Sequence, residues 1–258
     1  MYLCTLRAQE AYCSNWWKGP RFGGEFTEMI LLAVDTSGKD GSLALARVAG
    51  SAAPGDRSAA AFELLEMVPL EGGTFSAQLV PQIALLLAKH GLTKNDLGAF
   101  VVASGPGSFT GLRVGLAAIK ALAEILEKPI AAVSRLDAIA RSGTGQGAVI
   151  AILDAGRGEI YAGQYEVQGS VRMRSERLLS RGEFLDVARE WAVKTPDSSL
   201  AELARHAGLH VEEVARPGAD AIARLGWAKI LAGETVSPAD LEANYIRRSD
   251  AEIFAKSS

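Results

Sequence analysis

The feature that most constrains the fold is a pattern that occurs twice, an apolar strand that ends on an aspartate and turns through small residues into a second strand. The first copy covers residues 30–48 with Asp35 at the turn, and the second covers residues 149–167 with Asp154 at the turn. This pattern is typical of β-hairpins. Two copies predict two similar lobes that face a cleft. The alternative is a chance likeness, because hairpins in general share this pattern.

Between the two hairpins the sequence alternates between strands and helices. Strands are predicted near residues 61–68, 99–104 and 129–134, and helices near 76–90 and 110–126. Strands that are followed by helices indicate an α/β lobe with a partly parallel sheet. Beyond residue 170 the periodicity weakens, and only short helices are predicted, near residues 181–190, 199–207 and 219–232.

The N-terminal segment differs from the rest of the chain. Residues 1–28 contain both cysteines, Cys4 and Cys13, and show neither helical nor strand periodicity. We expect a disordered extension from an upstream start, with a genuine flexible tail as the alternative. The remainder lacks cysteine, which suits a reducing compartment.

The chain is predicted to have three parts. They are an extension over residues 1–28, a first lobe over residues 29–134 that carries the partner-binding helices, and a smaller, degenerate second lobe over residues 135–258.

Charge and hydropathy limit the classes of function. The 258 residues include 27 basic and 30 acidic side chains, so the chain lacks the bulk positive charge that would hold nucleic acid. Any contact with RNA is then indirect or confined to one patch. No apolar run approaches the roughly 20 residues of a membrane helix, and the N-terminus lacks the apolar core of a signal peptide. We expect a cytoplasmic globular protein without a membrane segment.

The most distinctive motif is the glycine-rich segment 104–115, Ser-Gly-Pro-Gly-Ser-Phe-Thr-Gly-Leu-Arg-Val-Gly, which joins a predicted strand to a predicted helix. Gly105 and Gly107 permit a tight turn, and the helix that follows would direct free N–H groups at the loop, as a phosphate site requires. The motif matches neither a P-loop nor a dinucleotide-binding fingerprint. A plain strand-to-helix turn with Thr110 as the N-cap is the alternative.

This glycine-rich segment resembles the signature of the TsaB family. Four other segments resemble that family and occur in its order, at residues 30–37, 76–81, 152–161 and 244–247. The resemblance implies an α/β chain with the two-lobed, actin-like and sugar-kinase-like ATPase fold, which is ribonuclease-H-like. It also implies an essential non-catalytic scaffold for the paralogous transferase TsaD, which forms threonylcarbamoyladenosine next to the anticodon of tRNA.

Partners are also implied by this resemblance. They are TsaD in a heterodimer and the ATPase TsaE, which docks on that pair, with tRNA bound only through the complex; the isolated chain could form a homodimer. The implied partner interface lies on the two helices of the first lobe, at Leu79, Ile83, Leu85, Leu86, Leu112, Leu116 and Ile119.

The predicted nucleotide or phosphate site consists of Asp35, Thr36, Ser37, Gly105, Gly107, Ser108, Arg113 and Asp154. The two aspartates could hold Mg²⁺ through water. The second lobe shows no glycine-rich adenosine loop, however. We therefore expect no tightly bound cofactor, and at most weak or partner-shared ATP or ADP with Mg²⁺.

Helical periodicity gives separate expectations for the two interface helices. On helix 110–126 the charges fall on one narrow stripe, so its apolar remainder predicts a second partner, unless neighbours in its own lobe cover the helix. On helix 76–90, Leu85 falls on the same side as Gln78, Gln82 and Lys89, which predicts exposure. Leu87 falls on the opposite side, which predicts burial.

Catalytic and metal-binding residues are not expected. TsaD carries a His-x-x-x-His metal motif where this chain has Phe75 and Leu79, and neither side chain can ligate a metal. His206 and His210 have helical ligand spacing, but Gly208 lies between them and a third ligand is missing nearby. The alternative is an active ATPase, kinase-like or peptidase-like enzyme of the same fold, for which we find neither a nucleophile with a base nor a metal cluster.

Overall fold

Two five-stranded sheets organise the computed structural model, which describes residues 27–50 and 61–246. The first sheet has the order β3-β2-β1-β4-β5, with strands β1 (Thr27–Asp35), β2 (Gly41–Gly50), β3 (Ala61–Leu70), β4 (Leu97–Gly105) and β5 (Ile130–Ser134). Strands β1 to β3 are antiparallel, whereas β4 and β5 run parallel to β1. Residues 30–34 are continuously apolar because both faces of β1 are covered.

The second sheet repeats this arrangement. Its order is β10-β9-β6-β7-β8, with strands β6 (Gly147–Gly156), β7 (Glu159–Gln168), β8 (Ser170–Ser180), β9 (Ala192–Thr195) and β10 (Val211–Glu213). Again three antiparallel strands are followed by parallel ones. The internal repeat that the two hairpins predict is therefore confirmed, together with the α/β class.

In the described part of the chain, six α-helices cover the sheets, namely α1 (Phe75–Lys89), α2 (Phe109–Leu126), α3 (Arg135–Arg141), α4 (Arg181–Val187), α5 (Ser198–His206) and α6 (Ala219–Leu231). Helices α1 and α2 bury their apolar sides on one face of the first sheet. Helices α4 and α5 cover one face of the second sheet, and α3 covers the other. Within residues 27–50 and 61–246, no helix has the length and hydropathy of a membrane span.

The domain boundaries differ from the prediction in two places. Strand β1 begins at Thr27, so the last two residues of the predicted extension pair with β2; residues 1–26 lie outside the described residues. Helix α6, which we placed in the second lobe, packs on the first sheet. Gly226 permits that close approach, because a Cβ there would clash with Val101. Helix α6 packs there because the face of the first sheet opposite α1 and α2 is apolar and would otherwise be exposed to water.

Candidate functional site

A cleft of about 720 Å³ lies between the two lobes. Its walls come from the turn after β1, the loop before α2, the start of α3 and the turn between β6 and β7. Of the predicted nucleotide-site residues, the cleft is lined by Ser37, Gly107, Ser108 and Asp154. Sequence reasoning missed other lining residues that carry charge, namely Lys39, Asp40, Arg135, Asp197 and Arg216.

The glycines of the motif allow the start of α2 to approach the turn after β1. A Cβ at Gly107 would clash with the Ser37 carbonyl, and a Cβ at Gly111 would clash with the Thr36 carbonyl. The Ser108 N–H donates to the Ser37 carbonyl at 2.8 Å, and the Thr36 hydroxyl donates to the Gly111 carbonyl at 2.7 Å. The glycines of the motif therefore let the backbone at the start of α2 contact the backbone of the turn after β1 directly.

The N-terminus of α2 is capped by its own chain. The N-cap is Ser108 and not Thr110, which we named as the N-cap in the alternative, and the Oγ of Ser108 accepts the Gly111 N–H at 3.2 Å. Two N–H groups that a bound phosphate would need, those of Ser108 and Gly111, thus already have acceptors. These contacts favour the strand-to-helix turn that we weighed as the alternative, and a phosphate role for the loop stays a prediction.

Arg135 places a positive charge behind the cleft. Its guanidinium is buried, with Nε 4.0 Å from Asp35 Oδ2 and Nη1 donating to the carbonyls of Pro106 at 3.3 Å and Ser37 at 3.5 Å. Burial lowers the pKa of Arg135, and the carboxylate of Asp35 opposes that lowering. The sequence carried a signal for this residue, because Arg135 directly follows the parallel strand β5, whose carboxyl end faces the crevice.

The two predicted aspartates have different surroundings. Asp35 is buried, and its Oδ1 accepts the N–H of Ser37 at 2.9 Å and also its hydroxyl. Asp154 lies on the cleft wall, where its N–H donates to Asp197 Oδ2 at 2.9 Å. Asp197 also pairs with Arg216. The carboxylate of Asp35 is thus committed to Ser37 and Arg135, which disfavours a Mg²⁺ ion bridged by Asp35 and Asp154.

Histidines do not assemble a metal site in the part of the chain that the structure describes. His206 is the last residue of α5, and both it and His210 are exposed. Across residues 27–50 and 61–246, no group of three or more histidine, cysteine, aspartate or glutamate side chains is placed to hold a metal.

Arg113 lies apart from the other predicted nucleotide-site residues. Its guanidinium stacks 3.8 Å above the ring of Phe109, and its Nε donates to the Tyr245 hydroxyl at 3.3 Å. It borders a separate groove of about 510 Å³ between α2 and residues 241–245. Arg113 is therefore not among the residues that line the cleft, because the helical twist after Gly111 turns it outward.

Six of the seven residues of the predicted partner interface are buried within the lobe itself and so are not available at its surface. They belong to the core of the first lobe, namely Leu79, Ile83, Leu86, Leu112, Leu116 and Ile119. The prediction selected the most apolar positions on α1 and α2, and these are the positions that pack on the sheet. Leu85 is 62% exposed and Leu87 is 4% exposed, so the predicted orientation of these two leucines is confirmed.

The surface that α1 and α2 do expose is also apolar. Helix α1 has no charged residue before Lys89. We define the apolar helix face as the exposed apolar residues of the two helices, which are Ala77, Val80, Pro81, Ala84, Leu85, Ala88, Ala117, Ala121 and Ile125. Val80 is 59% exposed and Ile125 is 69% exposed. Arg113 and Glu124 are charged residues exposed on α2 beside this face.

Known proteins resemble the chain in sequence and in fold. The family model for TsaD, described as tRNA N6-adenosine threonylcarbamoyltransferase, matches residues 71–238. The TsaB protein of Bacillus subtilis is 34% identical over 55% of this chain, and the match spans 58% of that relative's own length. An uncharacterised protein of Mycobacterium tuberculosis is 32% identical over 74% of this chain and 83% of its own.

Solved structures agree on the architecture. YeaZ from Pseudomonas aeruginosa superposes with a TM-score of 0.61 at 24% identity, covering 84% of this chain and 99% of that chain. The repeated sheets and this neighbour confirm the two-lobed, actin-like and ribonuclease-H-like fold. Together with the family model and the TsaB relatives, they show that the chain belongs to the TsaB family.

Proposed function

We propose that this chain takes part in forming threonylcarbamoyladenosine on tRNA, as a non-catalytic subunit that binds and supports a TsaD paralogue. Relatives from Bacillus subtilis and Escherichia coli are named tRNA threonylcarbamoyladenosine biosynthesis protein TsaB. The matching family model describes the threonylcarbamoyltransferase itself. These names support a role in threonylcarbamoyladenosine biosynthesis, and the apolar helix face of the first lobe supports the role of a binding subunit.

The apolar helix face is the observation that carries the proposal. A surface helix normally carries charged residues opposite its buried stripe, whereas α1 exposes alanines, Val80, Pro81 and Leu85 there. Helices α1 and α2 pack against each other, so their exposed apolar residues are neighbours on one side of the lobe. Large exposed apolar surfaces of this kind are typical of protein interfaces. A paralogue with the same two helices is a partner of matching shape.

The cleft supports at most an accessory nucleotide. Arg135 and Arg216 provide positive charge near Ser37 and Gly107, while the N–H groups of the glycine-rich loop are partly engaged. We include weak or partner-shared ATP or ADP with Mg²⁺ in the proposal, with a TsaE ATPase as the third protein. Phe75 and Leu79 are core residues of α1, which supports a non-catalytic role for this lobe.

A paired substitution tests the interface. Leu85→Lys should leave the unfolding midpoint almost unchanged, because the ammonium stays hydrated, but it should weaken TsaD binding at least tenfold, on the order of 1.4 kcal/mol. Leu87→Lys should cost several kcal/mol of stability, because a buried ammonium must be desolvated or deprotonated. The measurements are thermal unfolding of each variant and size-exclusion chromatography with the TsaD paralogue from the same genome, with ADP or ATP present.

Two results would contradict the proposal. If the wild-type chain forms no complex with the TsaD paralogue, the subunit role is wrong. If the complex forms and Leu85→Lys binds as the wild type does, the partner lies on another surface.

A further inference from the structure

Strand β8 presents a row of arginines on an uncovered part of the second sheet. We define the basic strand face as Arg172, Arg174 and Arg177, all of which are exposed. In the register with β7, Arg172 lies opposite Glu166 and Arg177 lies opposite Ala162. These two β7 positions are four residues apart, so they point to the same side of the sheet. Arg174 bonds to Glu166, which places it on that side as well.

The local charge of this strand differs from that of the whole chain. Residues 170–181 contain four arginines and one glutamate, whereas the whole chain has a formal net charge of −3. The one glutamate, Glu176, lies on the opposite side of β8, where it accepts hydrogen bonds from Ser134, Tyr165 and Asn244. Among the described residues, two carboxylates offset part of this charge, because Glu166 interacts with Arg174 and Arg172 and Glu183 interacts with Arg177, so the basic strand face keeps a net positive charge.

Surrounding groups suit a nucleic acid better than a protein. Gln164 and Ser175 lie between the arginines, and the Arg174 guanidinium lies 5.8 Å from the ring of Trp191 at the margin. Exposed apolar side chains, which centre most protein interfaces, are missing from this part of the described chain, since Met173 is on the other side of β8. Because β8 has one extra residue here, Arg172 and Arg177 lie opposite β7 residues that are four apart, and at about 3.3 Å per residue they are about 13 Å apart, enough to span more than one phosphate.

We propose that the basic strand face binds the phosphate backbone of tRNA in the assembled complex. Guanidinium groups donate paired hydrogen bonds to phosphate oxygens and release counterions when they bind, so three of them supply local affinity in a protein with a net negative charge. This inference rests on the proposed function, because it names a surface by which the subunit would help to hold the substrate.

The test removes three positive charges at this face and three elsewhere. The patch variant carries Arg172→Gln, Arg174→Gln and Arg177→Gln. The control carries Arg47→Gln, Arg189→Gln and Arg205→Gln, which are exposed arginines in ion pairs outside the face. Each variant is first mixed with the TsaD paralogue and checked for complex formation and unfolding midpoint. The Kd of each complex for fluorescently labelled tRNA is then measured over a range of salt concentrations.

We expect the patch variant to form the complex normally, to bind tRNA at least about tenfold more weakly near 0.1 M salt, and to lower the slope of log K against log salt by about 2 to 3. The control should stay within about twofold of the wild type. Equal tRNA binding by patch variant and control would overturn the inference, leaving the arginines as protection of an edge strand. Loss of the protein complex in the patch variant would also overturn it, because the face would then bind protein. A wild-type chain that forms no complex at all would instead refute the proposed function.

Discussion

Gly111 and Gly115 lie one helical turn apart on the side of α2 that meets the turn after β1. At both positions a Cβ would clash with Thr36. The sequence predicted a tight turn from Gly105 and Gly107, before α2, and made no prediction for Gly111 or Gly115. It could not predict which backbone segment approaches them, because that segment lies about 75 residues earlier in the chain.

Substitution of Gly111 tests this close contact. Gly111→Ala should destabilise the fold by about 1 to 3 kcal/mol through overpacking, even though alanine favours a helix by about 1 kcal/mol over glycine. Gly182→Ala in α4 is the control, because a Cβ there has open space, and it should be neutral or stabilising. Urea unfolding of both variants is the measurement. Equal stability of Gly111→Ala and the wild type would show that the start of α2 can move away from Thr36.

Strands β8, β9 and β10 were not predicted, whereas the helices around them were. The edge strand β8 carries three arginines in place of an alternating apolar pattern, and β10 has only three residues. The central residues of β9 are buried, yet one is Lys194, a residue type that normally indicates a surface. Its ammonium donates to the carbonyls of Ala140, Ser142 and Gly145 at 2.6 to 3.1 Å. These acceptors lie about 50 residues away in sequence, so no local pattern could reveal them.

Glu212 of β10 binds the loop between α3 and β6, which Lys194 also contacts, and it should make the stability of the fold depend on pH. The Thr144 N–H donates to its carboxylate at 2.8 Å and the Gly145 N–H at 3.2 Å, and Lys194 is 3.7 Å away. These contacts, the first of them most strongly, lower the pKa of Glu212 below its ordinary value of 4.5. The carboxylate therefore stabilises the fold above about pH 4.5, and this contribution is lost as the pH falls through the lowered pKa.

Glu212→Gln should accordingly be less stable than the wild type at pH 7, and the difference should shrink as the pH falls below 4.5. Glu202→Gln, at an exposed position of α5, is the control and should show little change. Unfolding free energies between pH 3 and pH 7 give the comparison. A difference that stays constant over this range would mean that the charge of Glu212 does not matter.

The two lobes are not consecutive units of sequence, because α6 returns to the first sheet. The strand-and-helix pattern up to residue 134 was sufficient to predict the first lobe, and the family resemblance gave the two-lobed fold. The pattern could not assign α6, because an amphipathic helix fits either lobe. Only the apolar second face of the first sheet, formed by residues such as Leu31 and Val101, decides where α6 packs.

Truncation of Ile222 tests whether α6 is part of the first lobe. Ile222 is buried against the first sheet, so Ile222→Ala should cost about 2 to 5 kcal/mol. Ala228→Ser, at an exposed position of the same helix, should change stability by less than about 0.5 kcal/mol. Amide hydrogen exchange should show weaker protection in β1 and β4 of Ile222→Ala. Weaker protection confined to α6 would mean that the first sheet is stable without it.

The return of α6 also means that, within residues 61–231, the polypeptide passes between the lobes twice, once through α3 after Ser134 and once in the segment between β10 and α6. A body attached at one point can swivel in any direction, whereas a body attached at two points turns most easily about the line that joins them. Opening of the cleft should therefore follow a single axis through these two connections. Arg216 lies in the second connection and pairs with Asp197, and both residues line the cleft, so a molecule that bridges this pair and Ser37 would resist that rotation.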